Sequence, residues 1–442
     1  MTDFASLKKQ FKGDLVTPSD PGYEEAIDRW AHNAARRAKV VAFVKDPQDV
    51  SLAIKYAKAN ALPIAIRGGG HSAAGTSSSE DGLVIDLSRY INGVTVDAEK
   101  RLAYIGGGAV WKTVDHAAIQ HGLATVGGTV NHTGVGGLAL GGGYGWLSAQ
   151  HGLVIDNLVQ ATVVPADGSV LTANSSENSD LFWAIRGGGC NFGVIAFTPD
   201  KLEQVGAALD KWWPNAGSSG KACLTGVMTR GPDGNPCIVI SFFYNGSEAE
   251  GREHYKDLYD IGPVADTAKE IPYEEVNAMQ NALTVPGFNY YMKGVLLSDT
   301  PSKDLRREVF DRALSLSKED LNVAIIPEFV PHDKINSVPA DATPYRRNLR
   351  GNTLILIQWK EHTPEKGKAA RAAAHELAGL MPKGEGYGNY AGTDDAASSK
   401  IGVAPAEKSQ ELFGQRYPRL QAIKKKYDPE MIFHKWFLIV PA

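Results

Sequence analysis

Residues 67–72 read Arg67-Gly68-Gly69-Gly70-His71-Ser72, directly after a short apolar strand expected over Pro63–Ile66. Three consecutive glycines let main-chain N–H groups converge on an anion, as phosphate-cradling nests do. Arg67 adds positive charge there. No Gly-Lys-Ser/Thr follows, so this is not a P-loop, and the GxGxxG dinucleotide fingerprint is also missing. Alone, the stretch also reads as a tight structural turn with a solvated histidine.

Two further glycine clusters lie downstream. The first is Gly127-Gly128-Thr129-Val130-Asn131-His132-Thr133-Gly134-Val135-Gly136-Gly137, continuing through Gly141-Gly142-Gly143-Tyr144-Gly145. Glycine loses more backbone freedom on folding than other residues, so ordering this run is costly. A large flat ligand lying against bare main chain accounts for that cost; a bulged, flexible loop is the alternative. The second is Arg186-Gly187-Gly188-Gly189-Cys190-Asn191-Phe192-Gly193-Val194, which again precedes an apolar strand. Three such clusters point to an extended, phosphate-bearing cofactor.

The rest of the chain bounds the function. With 442 residues it exceeds one simple core. A net charge of -4 gives no reason to expect nucleic acid or an anionic membrane as partner. No stretch approaches the roughly 20 apolar residues needed to span a bilayer. The opening MTDFASLKKQ lacks the apolar core of a secretory signal. The three cysteines, Cys190, Cys223 and Cys237, show no CxxC spacing. We therefore expect a cytoplasmic protein without a disulfide framework or metal site.

Residues 23–37 have the spacing of one amphipathic helix, and short strands and helices alternate through the first ~200 residues. Beyond residue 203, strands such as Ile238–Tyr244, Tyr290–Leu297 and Thr353–Gln358 alternate with polar helices at Lys303–Ser317 and Pro364–Leu380. That pattern predicts an antiparallel sheet backed by helices.

The runs IRGGGHSAAG, GGTVNHTGVGGLALGGGYGWLSAQHGLVIDNL and DLFWAIRGGGCNFGVI, with the ending FGQRYPRLQAIKKKYDPEMIFHKWF, resemble the berberine-bridge-enzyme-like oxidases. These belong to the vanillyl-alcohol oxidase / p-cresol methylhydroxylase flavoprotein superfamily. The resemblance implies an α+β, two-domain PCMH-type fold. Residues 1–203 and 383–442 would form the FAD-binding domain and 204–382 the substrate domain. It implies FAD bonded covalently to His71 through the flavin 8α-methyl. Many members carry a second link through a cysteine; Val130 stands at that position, so no cysteinyl link is expected.

By the same resemblance the pyrophosphate sits on Arg67, Gly68, Gly69, Gly70 and Ser72. Thr129, Gly134, Gly137, Gly141, Gly142, Gly143, Tyr144 and Asn157 line the flavin and ribityl chain. Val194 meets the adenine edge through its main chain, and Asn389-Tyr390 lies beside the flavin. The implied reaction is oxidation of a carbon bearing a hydroxyl or amine, with a small-molecule substrate and O₂ as partners. Tyr390 matches a proton-relay tyrosine. A phenol with an ordinary pKa near ~10 needs a cation to act at neutral pH, and Lys293 is the candidate. Gln358, His151 and His132 are the other candidate catalytic residues. An acceptor other than O₂, or flavin retention without redox turnover, remains open. A nicotinamide-dependent dehydrogenase is disfavoured.

Overall fold

The computed structural model describes residues 4–442 apart from 144, 187–193, 232, 282–283, 297–301, 319, 348–350, 383–386, 391–402 and 405. Near the N-terminus, strands β1 (Asp14–Val16), β2 (Val40–Phe43), β3 (Ile64–Arg67) and β4 (Leu83–Asp86) form a sheet of order β1-β2-β4-β3. β2, β3 and β4 run parallel and β1 is antiparallel. The helix Pro47–Ala59 covers this sheet. It starts cleanly because the Asp46 side chain accepts from the Asp49 N–H, and Pro47 occupies a first-turn position where its missing N–H does no harm. Two hairpins follow, β5 (Val94–Asp97) with β6 (Leu102–Ile105) and β7 (Gln160–Val163) with β8 (Leu171–Asn174).

The helix expected over 23–37 is interrupted. Helix Tyr23–Ile27 ends where Asp28 turns extended, and only a short 3-10 turn, His32–Ala34, follows. Arg29 is buried and spends its guanidinium on the carbonyls of Ser77, Ala26 and Asp28. Tertiary partners override the helical spacing here.

The second sheet has seven strands: β9 (Val194–Phe197), β10 (Ala222–Arg230), β11 (Pro236–Tyr244), β12 (Ala265–Asp266), β13 (Asn289–Leu296), β14 (Asn322–Phe329) and β15 (Asn352–Trp359). Their order is β12-β9-β11-β10-β14-β15-β13, antiparallel throughout. β9 precedes the boundary expected at 203/204 yet already pairs within this sheet. Strand alternation gives the sheet two distinct faces. Tyr291, Val295, Val323, Ile325, Ile355 and Ile357 pack against helices Lys303–Leu316 and Pro364–Leu380. Tyr290, Ala324, Ile326, Leu354 and Leu356 face the other way, onto Trp30, Ala31, Ala34 and Ala73. Helices therefore cover one face and the N-terminal region covers the other. A short parallel pair, β16 (Val403–Ala404) with β17 (Trp436–Phe437), belongs to the C-terminal segment.

Candidate active site

Between the second sheet and the glycine-rich loops lies a cavity of about 2080 Å³. Its loop side is a main-chain construction. A Cβ on Gly69 would lie 2.5 Å from Gly134 Cα, and one on Gly134 would lie 2.4 Å from Gly69 N. Cβ atoms on Gly68 and Gly136 would come within 2.8 and 2.7 Å of the Gly107 carbonyl oxygen. Three loops thus meet backbone to backbone, which only glycine permits. These glycines are needed first by the loops against each other, and the ligand-facing surface is the result. Gly137 differs: a Cβ there would meet nothing within 4 Å.

The cavity lining includes Gly68, Gly69, Gly70, His71, Ser72, Thr129, Gly134, Gly137, Gly141, Asn157 and Asn389. Tyr104, Leu140 and Val159 line it too, and each leaves more than half its surface exposed. Exposed apolar area of this kind, inside a concave site, is surface that a ligand covers.

Several expected cofactor contacts fall elsewhere. Arg67 pairs with fully buried Asp86 at 3.1 Å, so its charge is neutralised away from the cavity. Gly142 and Gly143 turn their carbonyls onto the N–H groups of Ile155 and Val154 and do not line the cavity. Val194 opens β9 and pairs with Ser241 of β11, which places its main chain in the sheet rather than at an adenine edge. Tyr144 lies outside the described residues.

His71 is the centre of a stack of rings. Its imidazole lies 4.1 Å from the Trp30 ring at 9°, and 5.0 Å from His132 at 28°. Trp30 in turn lies 4.1 Å from Tyr290 at 12°. Burial first, then the neighbouring His132, holds the His71 pKa down to about 3. The ring is therefore neutral at physiological pH, with a free lone pair. Its Nε2 is buried without a hydrogen-bond partner. Leaving such an atom unsatisfied costs about 1–3 kcal/mol. Burial also lowers the pKa of His132.

On the sheet side, Tyr390 Oη donates to Glu328 Oε1 at 2.8 Å. Glu328 is 3% exposed, and Asn352 Nδ2 donates to its other oxygen at 2.8 Å. The Tyr387 N–H donates to Asn352 Oδ1, and Asn389 Nδ2 donates to Tyr387 Oη. Glu328, Tyr387, Asn389 and Tyr390 all line the cavity. Around them the sheet wall is apolar, with Met292, Ile326, Leu354 and Leu356.

The partner of Tyr390 is thus a carboxylate and not Lys293. Lys293 alternates with cavity-facing Met292 and follows the register of Tyr291 and Val295, whose side chains pack under the helices. Gln358 donates to Tyr290 Oη at 3.0 Å and steadies the ring stack. It stands six residues along β15 from Asn352, roughly 20 Å away at strand spacing. His151 ends the segment Ser148–His151 at the cavity wall, where partial burial and then Lys334 lower its pKa. The sequence reading missed Glu328, Trp30, Tyr290 and Asn352. One available signal was a lone acid in the apolar run Val323–Val330, since a buried carboxylate needs a purpose or a partner.

A neutral histidine on the cavity lining, a main-chain cradle and a largely apolar cavity of this size fit FAD. A model of the FAD binding domain matches residues 38–174, and one described as berberine and berberine like matches 386–435. The chain is 32% identical to the FAD-linked oxidoreductase pgmH of Aspergillus terreus, over 100% of this chain and 96% of that protein. It superimposes on 6-hydroxy-D-nicotine oxidase from Arthrobacter nicotinovorans with a TM-score of 0.81 and 25% identity, covering 96% of each chain. It also shares its fold with a glucooligosaccharide oxidase from Acremonium strictum that carries 6-S-cysteinyl, 8α-N1-histidyl FAD, with a TM-score of 0.79, 21% identity and 99% of each chain covered. The α+β architecture is the two-domain PCMH-type flavoprotein fold. The chain is a FAD-dependent oxidoreductase and belongs to the berberine-bridge-enzyme-like family of the vanillyl-alcohol oxidase / p-cresol methylhydroxylase superfamily.

Proposed function

We propose that the chain is an oxidase with one covalent flavin bond, at His71, acting on a compact apolar molecule that bears a hydroxyl or amine. The observation that carries this reading is the Tyr390–Glu328 hydrogen bond on an otherwise apolar wall, across the cavity from the cradle. FAD supplies the acceptor for the hydride leaving the substrate carbon, and O₂ takes the electrons onward to give H₂O₂. Tyr390 Oη removes the proton from the substrate hydroxyl or amine and returns its own to Glu328. Asn352 holds the Glu328 carboxylate oriented for that transfer. Met292, Ile326, Leu354 and Leu356 exclude water and offer no polar partners for an oligosaccharide's many hydroxyls.

Val130 at the position of the family cysteine supports a single covalent bond. Residues 1–203 and 383–442 would hold the cofactor and 204–382 would form the substrate wall, with β9 crossing this line through its pairing. The test is direct. Acid-precipitated protein should stay yellow, a His71→Ala variant should release its flavin, and reduced enzyme should reoxidise rapidly in air with release of H₂O₂. Colour in the supernatant of the parent protein would rule out the bond, and reoxidation over minutes would rule out the oxidase.

A further inference from the structure

We propose that a second cavity, behind Glu328 on the helix-covered face of the seven-stranded sheet, binds an uncharged apolar molecule of a few heavy atoms, and that its occupancy sets the position of Glu328. The site stands independently of the proposed reaction. Its effect on turnover rests on the Tyr390–Glu328 relay proposed above.

The cavity measures about 80 Å³ and lies between the sheet and helices Leu202–Trp212 and Lys303–Leu316. Protein interiors leave few voids larger than a water molecule, so this one needs a cause. Leu209, Met228, Ile240, Leu305, Val309 and Phe329 line it, and the polar residues of its lining are Asp210, Arg306 and Thr353. Arg306 spends both terminal nitrogens on Asp210, at 2.8 and 2.9 Å, which closes the rim with a neutral pair. A buried water needs about two to four polar partners, and Thr353 alone cannot supply them. An ionic or hydrogen-bonding ligand would give up its hydration there without compensation. Dry apolar cavities of ~150 Å³ accept benzene or xenon, so one of about half that size takes a smaller apolar body.

Three residues that break the local rules of their elements converge on this space. Gly206 stands mid-helix, where glycine is disfavoured. A Cβ there would lie 2.7 Å from Arg306 Nε, so the glycine seats the arginine across the rim. Gly226 stands inside β10 and Pro327 inside central β14, both poor strand residues. Breaches of local propensity concentrate at functional sites.

Glu328 senses the space through its chain neighbours. Pro327 and Thr353 line the cavity and pair with each other across β14 and β15. They directly adjoin Glu328 and Asn352, which hydrogen-bond on the opposite face. β10 and β14 do not pair at Gly226 and Val227, so the strand is least tied where an occupant presses on Pro327. Movement of that proline carries Glu328 relative to Tyr390, whose hydroxyl donates to it at 2.8 Å.

The test is diffraction from holoenzyme crystals pressurised with xenon, an apolar probe that scatters strongly. A xenon atom is expected beneath Pro327, with the Tyr390–Glu328 hydrogen bond longer than in the unpressurised crystal. No xenon there overturns the site, and xenon with Glu328 unmoved overturns the coupling. Val309→Leu from one helix, or Val205→Leu from the other, fills the space. Each should lower xenon occupancy several-fold while flavin content stays at the parent level. Occupancy unchanged in both variants overturns the assignment of the site to this space. During turnover, xenon should lower kcat several-fold and leave KM unchanged, because the occupant does not touch the substrate. A kcat indifferent to xenon while the hydrogen bond lengthens removes the relay of the proposed reaction and leaves the site standing, a distinct result.

Discussion

The two walls of the cavity are built by opposite means. The loop wall is built on main chain: Gly68, Gly69, Gly134 and Gly136 let three loops touch directly, and side chains such as His71, Ser72 and Thr129 line the cavity beside them. The sheet wall is side chain: β13, β14 and β15 present Met292, Ile326, Glu328, Leu354 and Leu356 by strand alternation. At those four glycines the main-chain packing leaves no room for an added atom, whereas a strand face can exchange one side chain for another without moving the backbone. The first wall suits a constant cofactor and the second a variable substrate.

That contrast breaks most severely at Gly134. A Cβ there falls 2.4 Å from the Gly69 nitrogen, and backbone cannot step aside as a flexible side chain can. Gly134→Ala should cost about 3 kcal/mol through overpacking and yield nearly colourless protein. Gly137→Ala, with open space around it, should keep its melting temperature. Equal effects on thermal unfolding and flavin absorbance would mean the loops do not meet as described.

On the sheet wall the backbone should survive and the chemistry should fail. Tyr390→Phe and Glu328→Gln should each lower kcat by roughly 10²–10⁴-fold, the usual worth of a positioned acid–base group. Flavin content should stay at the parent level. The double variant should be little worse than either single one, because the two side chains share one hydrogen bond. Additive losses in kcat would separate the two residues.

The same contrast governs how much the sequence reveals. A cradle made of main chain is spelled in glycine, so the loops around Gly69 and Gly134, with His71 beside the first of them, stand out in a single chain. Strand chemistry is spelled in one residue inside an apolar run, and Glu328 is masked further by Pro327. A proline lacks the N–H a central strand uses, so propensity argues against a strand over 322–329. The structure resolves this locally. Pro327 stands opposite Gly226, and the β10–β14 pairing skips Gly226 and Val227 while keeping register on both sides. Trp30 was hidden differently: its spacing fits a helix, and only distant partners such as Thr284 and Tyr290 draw it into the stack.

A smaller effect should appear where the two walls join. Asn277 Nδ2 donates to Asp115 Oδ2 at 2.6 Å, tying helix Trp111–Ile119 to the segment after helix Tyr273–Val276. Burial, with a further push from Glu274, raises the Asp115 pKa to about 7, against the pull of the Asn277 bond. A raised carboxyl stabilises the fold only while protonated. Its contribution is complete below its ordinary value of 3.8 and is lost as pH climbs to about 7. Asp115→Asn removes this titration, so the melting temperature of the variant relative to the parent should rise across that window. A constant difference between pH 4 and 8 would place the Asp115 titration elsewhere.

The smallest effect belongs to the residue that chemistry alone nominated. A cation beside Tyr390 would have lowered its pKa, and Lys293 has a suitable position in sequence. Register decides against it. Lys293 pairs with Ile355, and Ile355 lies in the cluster under the helices with Tyr291 and Val295. A side chain on that face is separated from Tyr390 by the sheet itself. Lys293→Met should therefore change kcat by no more than about twofold, the scale of a substitution remote from the chemistry. The pH profile of kcat should not move. A loss approaching that of Tyr390→Phe would put the ammonium back beside the phenol and require β13 to be shifted by one residue, since a one-residue slip exchanges its two faces.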